Sequence, residues 1–242
     1  LKGRVMLEKV IGEEDGGIGA LDAVLRGIRA DAAIVPEPSE LCAVPAHAGV
    51  MAFRVTVQGK AAHASLRTDG VSAIDKFLPL YEALRALEGE RNARIRDPLY
   101  ERFDIPSPLS IGKIVGGEWP GTVPENLYFE GRVGVHTDET CDAVKKQVEA
   151  AVAKAAKTDP WLKDHKPVVD WNGYRFDPAK IPSDHPIMET VKTAYRDVSG
   201  SAPRVEGRTY SSDMRLLVNI GKTPTMIFGP GELKEAHTAN ES

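Results

Sequence analysis

The sequence predicts an α/β protein in which a doubly wound domain is interrupted by an inserted α+β domain. A strand, a helix and a second apolar strand follow one another at the start of the chain, which indicates a βαβ unit with a parallel sheet. After His47 the apolar residues alternate with a period of two, as in a half-exposed strand. An α/β pattern returns in the last part of the chain, so the doubly wound domain is expected to resume there.

The first and last parts of the chain contain the elements predicted for the doubly wound domain. Arg4–Ile11 is apolar-rich and ends at Gly12, which predicts a strand. Gly16 and Gly17 predict a turn, and the residues from Leu21 to Ile28 have helical spacing. The remaining predicted elements are a strand over Asp31–Val35 that Pro36 and Pro38 stop, a helix over Pro186–Val198 and a strand over Thr223–Phe228.

The middle of the chain has the β-α-β-β-α-β order of a ferredoxin-like module. The predicted strands are 50–58, 109–115, 127–135 and 166–171, and the predicted helices are 72–87 and 140–156. Pro79 is expected to kink or divide the first of these helices, because it removes one main-chain hydrogen bond. The predicted domain boundaries are therefore 1–47, 48–176 and 177–242, the first and last ranges forming one domain.

Composition narrows the classes of partner. A net charge of −4 gives no electrostatic footprint for nucleic acid, and no apolar stretch approaches the roughly 20 residues that a membrane helix needs. A small-molecule partner is therefore expected. The two cysteines, Cys42 and Cys141, form no CxxC pair, which favours a reducing, cytoplasmic location. The opening Leu1–Arg4 is neither a start methionine nor a signal peptide, so we expect the sequence to begin inside a longer chain.

Acidic residues follow two of the predicted strands. Glu13, Glu14 and Asp15 come between the first strand and its helix, and Glu37 follows the strand that ends at Val35. Open α/β sheets bind ligands at this edge, and adjacent carboxylates need a cation to offset their repulsion. Each acid taken alone is also consistent with an ordinary solvated loop.

Two histidines are candidates to accompany these acids. His237 lies beyond the last predicted strand and its glycine-proline turn, where it reaches the same sheet edge. Carboxylate and imidazole groups are the ligands that catalytic zinc takes in proteins. His63 follows the first strand of the inserted domain, among small residues that let a substrate approach. Taken alone, each is more often an ordinary surface or loop histidine than a functional one, and His47, His136, His165 and His185 carry no functional prediction.

A set of ordered motifs carries a family resemblance. The motifs are Gly12–Gly19, Glu37–Ser39, Gly59–His63, Gly116–Pro124, Ser211–Arg215 and Gly229–Glu241. Together they resemble the acetylornithine deacetylase and succinyl-diaminopimelate desuccinylase family of zinc-dependent hydrolases, which includes aminoacylases and carboxypeptidases. The resemblance implies a zinc-exopeptidase-like catalytic domain, 1–47 and 177–242, incomplete at both ends. The inserted range 48–176 is implied to be a lid and dimerisation domain.

The resemblance also implies roles by position. It implies two zinc ions, with cobalt or manganese as substitutes, and a homodimer formed through the lid. Glu13 is implied to be the general base on a water that the metals hold. His63 is implied to steady the oxyanion, often across the dimer. The other implied positions are the metal ligands Glu14, Glu37 and His237 and the substrate-pocket residues Ser211 and Ser212.

The activity that the resemblance implies is removal of an N-acyl group from an amino-acid-like substrate in amino-acid biosynthesis. Acetylornithine deacetylase is favoured over desuccinylase, aminoacylase or carboxypeptidase. The family's upstream His-x-Asp motif and bridging aspartate do not occur here, so the 242-residue chain alone is expected to be nearly inactive. A non-catalytic fragment that acts as a dimerisation module is the alternative of another class.

The sequence departs from the family pattern in its inserted domain. Thr122 stands where many relatives have asparagine. The lid arginine that often meets the substrate carboxylate falls at Gly134, and Arg132 is near but out of register. The resemblance therefore leaves the substrate unassigned.

Overall fold

The structure is a computed structural model and describes residues 3–235. Its contacts divide into two compact units. The first unit contains the described residues up to His47 and from Pro178 onward, and the second is Ala48–Asp177. Among residues 3–235, no helix is long and apolar enough to span a bilayer.

The described residues form the following helices and strands. The helices are α1 (Ile18–Leu25), α2 (Ala73–Asn92), α3 (Cys141–Thr158) and α4 (Pro186–Ser199). The strands are β1 (Ala33–Val35), β2 (Ala43–His47), β3 (Gly49–Gln58), β4 (Ala62–His63), β5 (Leu109–Gly116), β6 (Thr122–Val123), β7 (Asn126–Val135), β8 (Val168–Asp170), β9 (Arg175–Phe176), β10 (Ala179–Lys180), β11 (Val205–Arg208) and β12 (Thr225–Ile227). A π-helical turn covers Leu216–Ile220.

The second unit has the predicted ferredoxin-like arrangement. Its main sheet has the order β8-β3-β7-β5, and every pairing along it is antiparallel. The core lies between this sheet and the two helices, and it includes Leu80 and Leu84 of α2, Phe129 of β7 and Val148 of α3. Because β3 alternates Phe53, Val55 and Val57 inward with polar residues outward, its two-residue period is that of a strand with one solvated face.

The helices of the second unit begin where the sequence supplies caps. The Ser72 hydroxyl accepts the Asp75 main-chain N–H at 3.1 Å, and the Thr140 hydroxyl accepts the Ala143 N–H at 3.2 Å. Of the two outcomes predicted for Pro79, a kink or a division of the first helix, division is wrong, since α2 runs through Pro79 to Asn92. The last turn of α2 is held because its buried Glu88 carboxylate accepts the Leu109 N–H at 2.6 Å.

The sheet of the first unit is mixed rather than fully parallel. Its order is β1-β12-β2-β10, and β11 also pairs with β2. The pairs β1 with β12 and β2 with β11 are parallel, whereas β10 and β12 run antiparallel to β2. The core between this sheet and its helix α4 includes Met188, Met214 and Met226. The α/β class predicted from the sequence is confirmed, with antiparallel pairings added at β2.

Two predictions for the first unit are wrong in part. Arg4–Ile11 is not a strand, because no described strand pairs with it, and Val5 and Leu7 are 78% and 79% exposed. The helix predicted over 21–28 begins and ends three residues earlier, at Ile18 and Leu25. It stops there because Gly27 adopts φ 84°, a left-handed conformation that ends helices.

Candidate functional site

The acidic turn before α1 is shaped by glycines. The Gly17 N–H donates to the Gly12 carbonyl at 2.7 Å and to the Glu13 carbonyl at 3.1 Å, which closes the turn. Gly17 has φ 71°, and a Cβ built on it falls 2.0 Å from Oδ1 of Asp213. Only glycine fits there, so the turn that carries Glu13 and Glu14 packs directly on the Asp213 carboxylate.

Glu37 lies just past β1, in a loop that is pinned from several sides. The buried Ser39 hydroxyl accepts the Gly229 N–H at 3.0 Å. Arg208 donates to the Ser39 carbonyl at 2.6 Å, and the Tyr210 hydroxyl donates to the Pro38 carbonyl at 2.9 Å. Because β1 and β12 are parallel, this loop and the turn at Gly229 meet at one edge of the sheet, where open sheets bind ligands.

The carboxylates of the first unit act on one another. Burial, followed by the charges of Glu37, Asp213 and Glu14, raises the pKa of Glu13 to about 7 against a lowering effect of Arg215. Burial, followed by the charges of Asp213 and Glu14, also raises the pKa of Glu37. Like charges shift one another in this way only at short range, so these acids form a single cluster. We refer to Glu13, Glu14, Glu37 and Asp213 as the acid cluster.

Asp213 is a member of this cluster to which the sequence analysis gave no role. It is 6% exposed, burial raises its pKa, and its Oδ1 has no hydrogen-bond partner among the described residues. Arg215, two residues later, donates to the Gly16 carbonyl at 2.7 Å and so ties this segment to the acidic turn. The only sequence signal was its place in the Ser211–Arg215 motif, because nothing in one sequence indicates that residues 13 and 213 meet.

The two serines beside Asp213 differ in their bonding. The Ser212 hydroxyl is buried and accepts the Met214 N–H at 3.3 Å, as a residue that starts a turn does. The Ser211 hydroxyl oxygen is buried and has no hydrogen-bond partner among the described residues. Ser211 is therefore the serine of this pair with unused bonding capacity, and the substrate-binding role of both serines stays a prediction.

Of the two predicted histidines, His63 lies within the described residues and His237 does not. His63 belongs to the second unit, is exposed, and its Nδ1 lies 2.7 Å from the Ser65 hydroxyl. Strand β4 pairs it with Thr122 of β6, the position where the family often has asparagine. His237 lies outside the described residues. Glu13, Glu14 and Glu37 are brought together by the structure, while the chemical roles assigned to all these residues stay predictions.

A groove of about 610 Å³ crosses the open face of the second unit's sheet. Within it, Arg54 and Lys113 both pair with Glu130, the Lys113 contact being 3.2 Å long. Arg132 also lines the groove, and its Nε is buried with no hydrogen-bond partner among the described residues. A side chain at Gly134 has little room, because a Cβ there lies 3.2 Å from the Ser107 hydroxyl. Arg132 thus presents a guanidinium two positions earlier along β7.

Comparisons with known proteins find a matching domain and similar folds. Residues 45–160 match the M20 peptidase dimerisation domain, a range that lies almost wholly within the second unit. The fold resembles that of a tripeptidase from Staphylococcus aureus, with a TM-score of 0.70 and 23% identity over 96% of this chain and 57% of that one. An M20 family metallo-carboxypeptidase from Sulfolobus solfataricus also gives a TM-score of 0.70, with 14% identity, covering 95% of this chain and 64% of that one.

The relatives found by sequence include a deformylase and an acetylornithine deacetylase. An N-formyl-4-amino-5-aminomethyl-2-methylpyrimidine deformylase of Halalkalibacterium halodurans is 26% identical over 100% of this chain and 60% of its own length. An acetylornithine deacetylase of Aliivibrio fischeri is 27% identical over 88% of this chain and 53% of its own. These matches support the family of metal-dependent hydrolases that the sequence motifs resemble. This chain spans about 60% of the deformylase and about half of the deacetylase.

The effect of the Asp213 charge on the pKa of Glu13 can be tested in the metal-stripped protein. Because the pKa of Glu13 is raised on folding, its contribution to stability is present below pH 4.5 and is lost as the pH rises through 7. We expect Asp213→Asn to lower that pKa and to recover on the order of 1 kcal/mol of the unfolding free energy lost between pH 5 and pH 8. Urea denaturation at several pH values measures this quantity.

The matched control is Asp15→Asn, an exposed acid in the same turn whose charge does not contribute to the pKa of Glu13. It should leave the pH dependence as it is in the parent protein. An Asp213→Asn protein with the parent's pH dependence contradicts the proximity of these carboxylates.

Proposed function

We propose that the protein containing this chain is a metal-dependent amidohydrolase that removes an N-acyl group from an amino-acid-like substrate. The acid cluster is the observation that carries the proposal, because its carboxylates come from three chain segments and the charges of neighbouring members raise the pKa of Glu13 and of Glu37. Ordinary solvated acids are not held together against their repulsion in this way. The deformylase and deacetylase relatives, which are named for removing acyl groups, support the reaction class.

The donor set fits divalent metal ions. Buried carboxylates that repel one another are stabilised by a cation, and carboxylate with imidazole is a common zinc ligand set. We propose that Glu14, Glu37 and His237 are three of the ligands of two zinc ions, with cobalt or manganese as substitutes. When bound, such metals lower the pKa of water and polarise an amide carbonyl.

Glu13 is proposed to move the proton. In the metal-free protein the pKa of Glu13 is about 7, and bound cations offset the neighbouring charges that help to raise it. Glu13 is not one of the proposed ligands, so its carboxylate is available as a general acid–base. Glu13 takes a proton from the attacking water and delivers it to the amide nitrogen as the carbon–nitrogen bond breaks. The products are then a carboxylic acid and a free amine. His63 is proposed to donate to the carbonyl oxygen, and Ser211 and Ser212 to line the pocket.

Which acyl group the enzyme removes is a separate part of the proposal. Acetylornithine deacetylase remains our first candidate, and desuccinylase, aminoacylase and carboxypeptidase activities use the same chemistry. Deformylation is a second candidate, because deformylases of two bacilli match 100% of this chain whereas the deacetylase of Aliivibrio fischeri matches 88%. The amino-acid and peptide substrates among these candidates carry a carboxylate, and Arg132 is proposed to bind it.

We also propose that the protein is a homodimer formed through the second unit, which matches a dimerisation domain. In the described sheet, β5 has β7 as its single strand neighbour, so its other edge is unpaired. Ile114 and Val115 on this edge strand are 51% and 43% exposed. An exposed apolar edge strand readily pairs with another chain, and a two-fold axis lets two copies pair the same strand.

A substrate panel tests the reaction class. We expect the intact protein to release acid and amine from at least one of N-acetylornithine, N-succinyl-diaminopimelate, the N-formylated aminomethylpyrimidine and a dipeptide. Turnover should be lost after chelation and restored by zinc, because the acid cluster needs its cations. A metal-loaded dimer with no turnover on any of the four favours the dimerisation module instead.

Replacing the proposed base tests the mechanism. We expect Glu13→Gln in the intact protein to keep its metal content and to lose about 10²–10⁴-fold in kcat, since an amide cannot accept the proton. Metal analysis and turnover on the best substrate measure the two effects separately. The control is Asp15→Asn, which keeps both, and full activity in Glu13→Gln removes Glu13 from the mechanism.

The proposed role of β5 in dimerisation can be tested by substitution. We expect Ile114→Asp to convert a dimer of the chain into a monomer, because it puts a charge on the strand that pairs. Light scattering after size exclusion measures the mass. Val198→Asp is the control, since Val198 is 91% exposed on α4 of the first unit. A dimeric Ile114→Asp protein places the interface elsewhere.

A further inference from the structure

Arg215 directs its guanidinium at the acidic turn that carries Glu13. It is the last residue of the Ser211–Arg215 motif, and the sequence analysis gave it no role of its own. Its side chain is half-buried, and Nη2 donates to the Gly16 carbonyl at 2.7 Å. The two residues are 199 positions apart, so this contact joins distant segments of the first unit.

The carbonyl that Arg215 binds belongs to a peptide group that is also held on its other side. The N–H of the same peptide, on Gly17, donates to the carbonyls of Gly12 at 2.7 Å and of Glu13 at 3.1 Å. A chain of hydrogen bonds therefore runs from the guanidinium through the Gly16–Gly17 peptide to the Glu13 carbonyl. Hydrogen bonds in such a chain polarise one another, and a charged donor makes the first bond one of the stronger kind.

The acidic turn needs this support because its own backbone supplies few restraints. Gly16 and Gly17 have φ 107° and 71°, so the turn depends on two residues that lose much conformational freedom on folding. Helix α1, which follows the turn, has Gly17 at its N-cap position and no side-chain hydrogen bond there. The bond from Arg215 is thus a restraint on the position of Glu13 that the turn does not provide for itself.

The segment that carries Arg215 is itself packed against the turn. A Cβ added to Gly17 would lie 2.0 Å from Oδ1 of Asp213 and 2.7 Å from Cδ1 of Leu216. The Leu216 N–H donates to the Asp213 carbonyl at 2.9 Å, and Met214 between them is fully buried in the core of the first unit. Residues on both sides of Arg215 therefore contact the turn, and the packed segment presents the guanidinium to it.

Arg215 is also close enough to act on the charge of Glu13. Burial raises the pKa of Glu13 and that of Asp213, and the positive charge of Arg215 lowers both. A charge has such an effect only at short range. The guanidinium therefore lies near the carboxyl group of the proposed base while it binds the backbone of the same turn.

We propose that Arg215 is a positioning residue, which acts through the Gly16–Gly17 peptide to hold Glu13 where it exchanges a proton with the attacking water. This role rests on the proposed function, because Glu13 needs a defined position for catalysis only if it is the base. Arg215 binds the backbone of the turn, so its effect on the reaction passes through Glu13. A misplacement of about 1 Å at a reacting group lowers the rate of an enzyme by roughly 10²-fold.

Kinetics of the intact protein at saturating zinc test this role on the best substrate of the panel. We expect Arg215→Ala to lower kcat at least tenfold with KM within about twofold of the parent, because the guanidinium supports the base rather than the substrate. Arg215→Lys should recover most of that loss, since an ammonium group also donates to the Gly16 carbonyl.

A double-mutant cycle separates positioning of Glu13 from a general effect on the fold. In a Glu13→Gln background, Arg215→Ala should change kcat by less than about twofold, because the group that it positions is already gone. A tenfold loss in both backgrounds overturns the proposal, and so does full kcat in the single variant Arg215→Ala.

Hydrogen exchange tests the same contact without turnover. We expect Arg215→Ala to speed exchange of the Gly17 amide at least tenfold relative to the amides of α4, because its peptide loses the partner on one side. The matched control is Arg26→Ala, which alters a 74% exposed arginine at the end of α1 and should change neither kcat nor this exchange. A parent protein that hydrolyses no substrate contradicts the proposed function, whereas unchanged Gly17 exchange in Arg215→Ala contradicts positioning by Arg215.

Discussion

The repulsion among the carboxylates of the acid cluster is the constraint on which the first unit depends. Glu13, Glu37 and Asp213 come from segments far apart in sequence, yet burial and their mutual charges raise the pKa of Glu13 and Glu37. Gly17 permits this convergence because any larger residue collides with Asp213. A fold that holds like charges together loses stability at neutral pH unless a cation joins them. The arrangement is therefore more readily understood as a binding site than as a packing solution.

The surrounding hydrogen bonds explain how the cluster is held. Arg208 and Tyr210 donate to the main-chain carbonyls of Ser39 and Pro38, and Arg215 donates to that of Gly16. These contacts fix the two acidic loops through their backbone rather than through their carboxylates. The segment from Arg208 to Arg215 thus fixes the position of both acidic loops. These hydrogen bonds position the acids but do not involve their carboxylate oxygens. The arrangement is therefore compatible with metal ligation by those oxygens.

The sequence predicted those features that depend on local pattern. The two-residue period of β3 and the order of predicted strands and helices over residues 48–176 identified the second unit element by element. Strand β2 was missed because its interior Pro45 argues against a central strand, yet the Pro45 carbonyl still accepts the Ile181 N–H at 2.9 Å. The order of family motifs identified Glu13, Glu14 and Glu37 as candidates. The role of Asp213 depends on contacts between distant segments, which no single sequence reveals.

The charge balance of the acid cluster determines what can neutralise it. The cluster contains several carboxylates whose neighbouring cation is Arg215, so at neutral pH it gains most from a bound divalent ion.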